Sequence, residues 1–211
     1  ANPALTISYT GLKNGETAPA TPPGAACAAD VASGVGTYPI TLTDGSDPNY
    51  ALRLQGGTLS VTRNLLTVTA EDKSRLYGDS NPAFTVSYEG FVNDDDADDL
   101  ATQPVAICTA DAASGAGAYD VVPGEGVDEN YAFNYVNGTL WVTEKLLTVT
   151  AEDKSRLYGD ANPGFTVSYD GFVNDDDAGD LTTQPTASSD AVPGSGVSTY
   201  DIASDGGVDE N

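Results

Sequence analysis

The chain has 211 residues, with 32 acidic side chains, 8 basic side chains and no histidine, giving a formal net charge of −24. A surface this acidic repels phosphate backbones and anionic lipid headgroups, which argues against nucleic-acid and membrane-surface binding. Without histidine there can be no Ser-His or Cys-His nucleophile pair and no histidine-ligated zinc.

One sequence unit recurs along the chain. Residues 65–104 read LLTVTAEDKSRLYGDSNPAFTVSYEGFVNDDDADDLATQP, and residues 146–185 repeat this stretch with few changes. The first 64 residues carry the later part of the same unit, since GTLSVT at 57–62 matches GTLWVT at 138–143. A fixed long period is typical of tandem repeat proteins.

We therefore predict three repeats. Repeat 1 (1–64) lacks the first strand of the unit, repeat 2 (65–145) is complete, and repeat 3 (146–211) lacks the last strands. Because both terminal repeats are incomplete, we expect the chain to be part of a longer tandem array. End-to-end pairing between the incomplete repeats of neighbouring molecules is one consequence open to test.

The repeat unit has the alternating pattern of β-strands. In chain order, apolar and polar residues alternate over 66–70 and 84–88. Shorter candidate strands are 105–109, 118–122, 131–135 and the segment around Leu140 and Val142. Asn137-Gly138 between the last two predicts a hairpin. We expect an all-β domain, either a β-sandwich or a β-grasp-like sheet.

A single helical turn is predicted, over residues 93–100, with Asn93 as its N-cap. At the repeat junctions the closing strand leads through two residues into the next opening strand, with no linker rich in Gly, Pro or Ser. This favours an elongated, semi-rigid rod, on the order of 100 Å long for three such domains.

Several motifs together resemble a known family. They are Leu-Thr-Val-Thr-Ala at 147–151, Tyr158-Gly159-Asp160 followed by Asn162-Pro163, a Tyr-x-Gly-Phe segment and a closing Gly-Thr-Leu-x-Val-Thr. In these features the unit resembles the MBG-type repeat of the Tyr-Gly-x variety. Such repeats occur in tandem in very large secreted and outer-surface bacterial proteins, many of them adhesin-like. The resemblance implies a surface-displayed, mostly β array, and it brings no active site with it.

The resulting functional hypothesis is a structural or spacer segment of an extracellular, adhesin-like bacterial surface protein, with Ca²⁺ as an optional stiffening ion. Its partners would be the adjacent repeats of the same array. The alternative is a binding module in which each repeat contributes a surface that recognises an extracellular glycan or protein. No residue pattern supports an enzyme, so we expect no catalytic activity.

Two acidic runs are candidate metal sites, because Ca²⁺ takes six to eight oxygen ligands. Their aspartates are Asp94, Asp95, Asp96, Asp98 and Asp99 in repeat 2, and Asp175, Asp176, Asp177 and Asp180 in repeat 3. The spacing is not that of an EF-hand loop. The competing interpretation is that these acids begin a short helical turn and otherwise face solvent. Repeat 1 keeps only Glu16 in this region, so the fold does not require the whole run.

Two further acidic groups recur. Asp128-Glu129-Asn130 matches Asp47-Pro48-Asn49 and Asp209-Glu210-Asn211, and the shared Asp and Asn predict capping of a turn. Glu71-Asp72 with Asp79 lies near a repeat junction, where a bound Ca²⁺ would stiffen the array.

Trp141 and the two cysteines are the remaining candidates. Trp141 corresponds to Ser60 in repeat 1, so this position should face outwards. There the ring either packs across the junction onto the next repeat or binds a sugar or a protein. Cys27 and Cys108 occupy the same repeat position. Equivalent points of successive domains are too far apart for a disulfide, so we expect small residues packed on a strand.

Overall fold

The computed structural model describes residues 2–209. The chain forms two compact units, and repeat 2 is divided between them. Unit 1 contains the residues up to Thr69, together with Ser87–Val105 and Gly124–Val136. Unit 2 contains Ala70–Val86, Ala106–Pro123 and the residues from Asn137 onwards.

Unit 1 is built on two three-stranded sheets. The first has the order β1-β2-β3, all antiparallel, from β1 (Gly24–Cys27), β2 (Gly36–Thr43) and β3 (Gly57–Val61). The second has the order β6-β4-β9, from β4 (Asn64–Ala70), β6 (Val86–Glu89) and β9 (Tyr131–Val136). Strands β4 and β9 are parallel.

Alternation along β4 buries one face of the second sheet. Leu66 and Val68 are fully buried, since side chains two residues apart lie on the same side of a strand. Tyr131 of β9 is also buried, and its ring meets that of Phe91 edge-on at 5.4 Å between centroids. The alternating pattern in the sequence therefore marks the core face correctly.

Unit 2 contains one four-stranded sheet and two strand pairs. The sheet has the order β5-β10-β8-β7, from β5 (Lys73–Leu76), β7 (Val105–Ile107), β8 (Gly117–Gly124) and β10 (Gly138–Thr143). The pairs are β11 (Thr148–Ala151) with β12 (Val167–Asp170), and β13 (Thr186–Ser188) with β14 (Ala203–Asp205).

Strand β10 is one of the two inner strands of the four-stranded sheet. It pairs in parallel with β5 and antiparallel with β8. Leu140 and Val142 point into the core, where they cluster with Val121, while Trp141 between them is 53% exposed. Cys108 packs against the same cluster, as the sequence predicts for a small strand residue.

Corresponding strands recur in the three repeats. Strands β1, β2 and β3 of repeat 1 correspond in sequence to β7, β8 and β10 of repeat 2. In repeat 3, β11, β12 and β13 correspond to β4, β6 and β7, and β14 corresponds to the end of β8. The prediction of an all-β repeat fold is confirmed.

The predicted hairpin at Asn137-Gly138 is wrong. The strands before and after it, β9 and β10, belong to different sheets. A two-residue turn of the Asn-Gly type needs a positive φ at both central residues, and neither Asn137 nor Gly138 has one. Instead, Gly138 lies against the backbone of Ala70, where an added Cβ would come within 2.4 Å of the carbonyl oxygen. The glycine permits this close approach.

The predicted helical turn is shorter than expected and has a different cap. Only Ala97–Asp99 form a turn of 3-10 helix, and its N-cap is Asp96. Asn93 has a φ of 60°, so it lies in the left-handed region rather than at a helix start. Within residues 2–209, no helix has the length and apolar character needed to cross a bilayer.

Candidate functional site

One feature shared by the three repeats is a loop that we call the Asp loop. It comprises residues 13–17 in repeat 1, 92–96 in repeat 2 and 173–177 in repeat 3. Its second residue is asparagine each time, with φ of 54°, 60° and 55°. The third residue, Gly15, Asp94 or Asp175, has φ of 79°, 65° or 67°. Residues that tolerate left-handed backbone occupy both positions, so the loop keeps one shape.

The fourth residue of the Asp loop accepts a hydrogen bond from a tyrosine. In repeat 2 the Tyr131 hydroxyl donates to Asp95 at 2.6 Å and accepts from the Val92 amide at 3.1 Å. In repeat 1 the Tyr50 hydroxyl donates in the same way to Glu16, at 2.5 Å. Glu16, the acid that repeat 1 keeps in this region, therefore has the role that Asp95 has in repeat 2.

The pKa of both tyrosines is raised above its ordinary value. For Tyr131, burial is the main cause and the hydrogen bond to Asp95 adds to it. For Tyr50, the hydrogen bond to Glu16 is the main cause. In both cases the neutral phenol, which can donate to the carboxylate, is the favoured form.

We expect the free energy of unfolding to fall as the pH rises above about 10. A tyrosine whose pKa is raised in the folded state stabilises the fold fully below its unfolded pKa of about 10, and this contribution is lost as the pH rises through the folded value. Urea titrations at a series of pH values from 8 to 11 measure the loss. Tyr131→Phe should flatten the alkaline part of the plot of unfolding free energy against pH. An unchanged slope would contradict the assignment of this loss to Tyr131.

A second prediction compares two neighbouring aspartates. Asp95→Asn and Asp94→Asn each remove one negative charge from the same loop. Of the two aspartates, however, only Asp95 accepts a hydrogen bond from the Tyr131 hydroxyl. Because hydrogen bonds to charged groups are stronger than neutral ones, Asp95→Asn should cost about 1 kcal/mol more. Chemical denaturation of both variants under identical conditions measures the difference. Equal costs would mean that loop charge alone matters.

Most of the other candidate aspartates accept hydrogen bonds from nearby backbone amides. Asp96 and Asp99 form a reciprocal capping box, in which the Asp98 amide donates to Asp96 at 2.8 Å and the Asp96 amide donates to Asp99 at 2.9 Å. In repeat 3, Asp177 and Asp180 are related in the same way, at 2.8 Å. Asp98 accepts from the Gln103 side chain at 3.0 Å.

The structure does not gather the acidic runs into a metal centre. Within residues 2–209, no three acidic or thiol side chains form a group that could hold a metal ion. The acidic group Glu71-Asp72 is also engaged, since Glu71 pairs with Lys73 at 3.0 Å and Asp72 accepts from the Thr139 amide at 2.7 Å. These contacts match the capping interpretation of the acidic residues.

The calcium hypothesis is tested by a thermal melt in about 2 mM CaCl₂ against EDTA, with MgCl₂ at matched ionic strength. A ligand at 100 times its dissociation constant adds about 2.7 kcal/mol to the free energy of unfolding, which raises the melting temperature of a small domain by several degrees. From the capping contacts we expect Ca²⁺ to raise the melting temperature no more than Mg²⁺ does. A rise in melting temperature that is specific to Ca²⁺ would contradict this expectation and support the hypothesis that calcium stiffens the array.

A second recurring feature, which we call the Tyr-Gly turn, is Tyr77-Gly78-Asp79 in repeat 2 and Tyr158-Gly159-Asp160 in repeat 3. Within unit 2, the Asp loop of repeat 3 contacts the Tyr-Gly turn of repeat 2. The Tyr77 hydroxyl donates to Asp176 at 3.0 Å, and the Asn174 side chain donates to the Ala112 carbonyl at 2.9 Å. Val173 lies so close to Gly78 that an added Cβ would meet its side chain at 2.4 Å. The Tyr-Gly turn is therefore a docking point for the next repeat.

A buried arginine holds the Tyr-Gly turn in place. Arg75 donates to the Asn81 side chain at 2.7 Å and also to the carbonyl oxygens of Leu76 and Asp111. Arg156 makes the corresponding bonds in repeat 3, including 2.8 Å to Asn162. Sequence reasoning missed both arginines and the docking role of Tyr77. The sequence did contain a signal for the docking contact, because the Tyr-Gly and Phe-Val-Asn-Asp-Asp motifs recur together in repeats 2 and 3.

Two further lysines form ion pairs with acidic side chains. Lys145 lies 3.8 Å from Asp79, and Lys154 lies 2.8 Å from Glu152. The pKa of Glu152 is lowered, first by Lys154 and then by Thr166, and that of Glu71 is lowered first by Thr85 and then by Lys73. Both carboxylates stabilise the fold above pH 4.5, and this contribution is lost as the pH falls through their folded values.

The Asp-x-Asn turns behave as predicted. Asp128 accepts from the backbone amides of Asn130 and Tyr131, at 2.7 and 3.1 Å, and Asp47 accepts from that of Asn49 at 2.8 Å. In unit 1 the Asn130 side chain also accepts from the Val35 amide at 2.9 Å, so this turn joins repeats 1 and 2. Of the third copy of the turn, Glu210 and Asn211 lie outside the described residues.

The family described as MBG domain (YGX type) matches the chain at residues 1–60, 66–141 and 147–211. The three matched segments together cover nearly the whole chain. No curated protein and no solved structure matches it.

Proposed function

Because the chain belongs to the MBG domain (YGX type) family, we propose that it is a spacer segment of an extracellular, adhesin-like bacterial surface protein. In this proposal each repeat docks its Asp loop on the Tyr-Gly turn of the repeat before it. The array would hold a distal binding region away from the cell. The segment itself would have no catalytic activity.

The observation that carries the proposal is the contact between repeats 2 and 3. The Tyr77–Asp176 hydrogen bond, the Asn174–Ala112 hydrogen bond and the Gly78–Val173 packing involve the Tyr-Gly and Asn-Asp-Asp segments, which recur in repeats 2 and 3. Side chains engaged with the next repeat are not available to a separate ligand. A motif used in this way favours a structural role over a recognition role.

The net charge of −24 supports the same role. Like charges spread along a chain of repeats repel one another, which favours extension and keeps the protein soluble. The effect is screened within about 10 Å at 0.1 M salt, so the contacts between repeats, rather than the charge, must hold the array in physiological solution.

Small-angle X-ray scattering tests the spacer proposal directly. A compact chain of 211 residues has a radius of gyration of about 17 Å, and an array extended to about 100 Å has a clearly larger one. We expect the larger value, and we expect it to persist at high salt. A radius near 17 Å would contradict the proposal.

One observation favours the alternative of a binding module. Trp141 is 53% exposed on β10, where an aromatic ring can stack on a sugar or insert into a partner protein. Trp141→Ser, which copies Ser60 of repeat 1, is the matched control for screens against glycans and host proteins. Binding that this variant abolishes would favour recognition over spacing.

A further inference from the structure

The four-stranded sheet of unit 2 has an apolar outer face. Its inner face packs on the cluster that contains Val121, Leu140 and Val142. Side chains alternate along a strand, so the neighbouring residues point away from this core. Four large apolar side chains lie there, between 44% and 62% exposed: Leu76 of β5, Ile107 of β7, Val122 of β8 and Trp141 of β10. Exposed apolar groups gathered on one face mark an interaction site.

This apolar character is specific to repeat 2. Three of the four positions carry small or polar residues in the other repeats, namely Ala26, Thr41 and Ser60 in repeat 1 and Ser188 and Ala203 in repeat 3. The inner face does not vary in this way, because Val121 corresponds to Ile40 and Ile202. The fold therefore requires an apolar inner face but not an apolar outer one. The outer face of repeat 2 needs a different explanation.

The next repeat does not cover this face. In repeat 1, Ala26, Thr41 and Ser60 are all exposed although the complete repeat 2 follows them. Packing between successive repeats thus leaves the outer face of a sheet open to solvent. A junction contact does not account for the apolar residues of repeat 2.

The apolar side chains form a diagonal stripe across the sheet. Trp141 pairs with Ala118 of β8, and Val122 lies roughly 13 Å further along that strand. Strand β7, which carries Ile107, is the next neighbour of β8. From Trp141 to Ile107 the stripe is therefore about 16 Å long. An α-helix covers this distance in about 11 residues, or three turns, so one apolar face of a helix can contact both ends.

A carboxylate lies in the middle of the stripe. Asp120 stands on β8 between Ala118 and Val122, opposite Thr139, and it is exposed. The outward positions of the four strands carry no lysine or arginine. Within residues 2–209, Asp120 takes part in no ion pair. In a chain with a net charge of −24, this surface is complementary to an apolar segment that carries basic side chains.

Two other occupants fit the face less well. A second copy of the chain would bring two strongly acidic surfaces together, and the stripe covers roughly 300 Å², well below the 800 Å² or so per partner of a stable interface. A glycan would stack on aromatic rings, and Trp141 is the one aromatic residue among the outward positions of these strands. Its aliphatic neighbours favour the side chains of a protein.

We propose that the outer face of repeat 2 docks a basic amphipathic segment of a partner protein. The apolar face of the segment contacts Trp141 at one end and Val122 and Ile107 at the other, and a lysine or arginine between these contacts pairs with Asp120. The inference does not rest on the spacer role. An array of plain spacer repeats can present one repeat that binds, and its radius of gyration is unaffected by this face.

The first test is a titration with the helical model peptide LKKLLKLLKKLLKL, in about 0.15 M salt, where charges more than about 8 Å apart are largely screened. Trp141 is the single tryptophan of the chain, so its emission reports directly on the face. We expect saturable binding below about 100 µM, with emission moving to shorter wavelength as the indole leaves water. SKKSSKSSKKSSKS, with equal charge but no apolar face, and LEELLELLEELLEL, with the opposite charge, should each bind at least about tenfold more weakly.

Variants of the chain locate the binding. Ile107→Ala with Val122→Thr, which copies repeat 1, should weaken binding at least about tenfold, and so should Trp141→Ser, followed by anisotropy of a labelled peptide. None of these changes alters the net charge, so attraction to the acidic chain as a whole stays the same. Val31→Thr, which removes an exposed valine elsewhere, should stay within about twofold. Circular dichroism and melting temperature confirm that each variant is folded.

A pair of aspartate variants tests the charge contact independently of the apolar residues. Asp120→Asn should weaken peptide binding about two- to fivefold, the usual effect of an exposed ion pair. Asp201→Asn removes the same charge at the same position of repeat 3, where Ser188 and Ala203 replace Ile107 and Val122, and should leave binding unchanged.

Several results would overturn the proposal. These are equal binding of the lysine–serine peptide, an unchanged Trp141 emission at saturation, undiminished binding by the Ile107→Ala, Val122→Thr variant, and equal effects of the two aspartate variants. Absence of saturable binding up to about 1 mM peptide would do the same. A saturable response to cellohexaose without one to the peptide would assign the face to a glycan. A chain that light scattering shows to be dimeric through this face would assign it to a second copy.

Discussion

Leu140→Ala is expected to destabilise unit 2 by about 2–5 kcal/mol, the usual cost of truncating a fully buried leucine. Leu140 is 0% exposed and packs with Val121, Val142 and Tyr77 in a buried apolar cluster of this unit. It also sits on the strand that pairs with both β5 and β8. Loss of its side chain therefore weakens the packing that holds three strands together.

The matched control is Trp141→Ser, one residue further along β10. This change removes a larger side chain, but Trp141 is exposed and Ser60 occupies the same position in repeat 1. Surface substitutions of this kind usually stay within about 0.5 kcal/mol. Urea unfolding followed by far-UV circular dichroism measures both variants. If Trp141→Ser costs as much as Leu140→Ala, the assignment of the two faces of β10 is wrong.

Strand positions were predictable from the sequence because alternation is a local property. Leu66 and Val68 on one face of β4, and Leu140 and Val142 on one face of β10, are read directly from a period of two. Each of these residues is buried. Family membership was likewise predictable, because the Tyr-Gly and Gly-Thr-Leu-x-Val-Thr motifs are short and contiguous.

Strand pairing was less predictable, because it depends on residues far apart in the chain. Asn137-Gly138 has the composition of a hairpin turn, yet β9 pairs with β4 and β10 with β5, each more than 60 residues away in sequence. Competition from these distant partners decides the pairing. The composition of a two-residue turn carries no information about them.

The candidate site was predicted in part, and for a related reason. The acidic run was noticed as a cluster, but its roles depend on single partners. Asp95 accepts from Tyr131, which lies 36 residues later, and Asp176 accepts from Tyr77, which lies 99 residues earlier. The burial of Arg75 is equally invisible in a sequence where arginine normally marks the surface.

Asp95 and Asp176 together suggest how one loop serves two contacts. Asp95 accepts from Tyr131 of its own repeat, and Asp176 accepts from Tyr77 of the preceding repeat. Both occupy the fourth position of the Asp loop. A carboxylate has lone pairs for more than one donor, so this position can accept from both tyrosines at once within a longer array. The same residue then stabilises its own repeat and couples it to the one before.

Gly78→Ala is the second large expected effect, and it tests the coupling between repeats 2 and 3. Gly78 has a φ of 83°, which costs a residue with a side chain about 1–2 kcal/mol. In addition, the new Cβ would lie 2.4 Å from the Val173 side chain, and overpacking of this kind costs about 1–3 kcal/mol more. We expect both costs to appear as loss of stability and as faster amide exchange in the Asp loop of repeat 3.

Gly159→Ala separates the two costs. Gly159 occupies the same position in repeat 3 with a φ of 92°, but an added Cβ there meets nothing within 4 Å. It should therefore cost only the backbone penalty of about 1–2 kcal/mol. The difference between the two variants measures the docking contact itself. Combining Gly78→Ala with Val173→Ala should recover part of that difference, because the closest atom, Val173 Cγ2, is removed. Equal costs for the two glycine variants would mean that Val173 does not couple the repeats, and the spacer proposal would lose its main support.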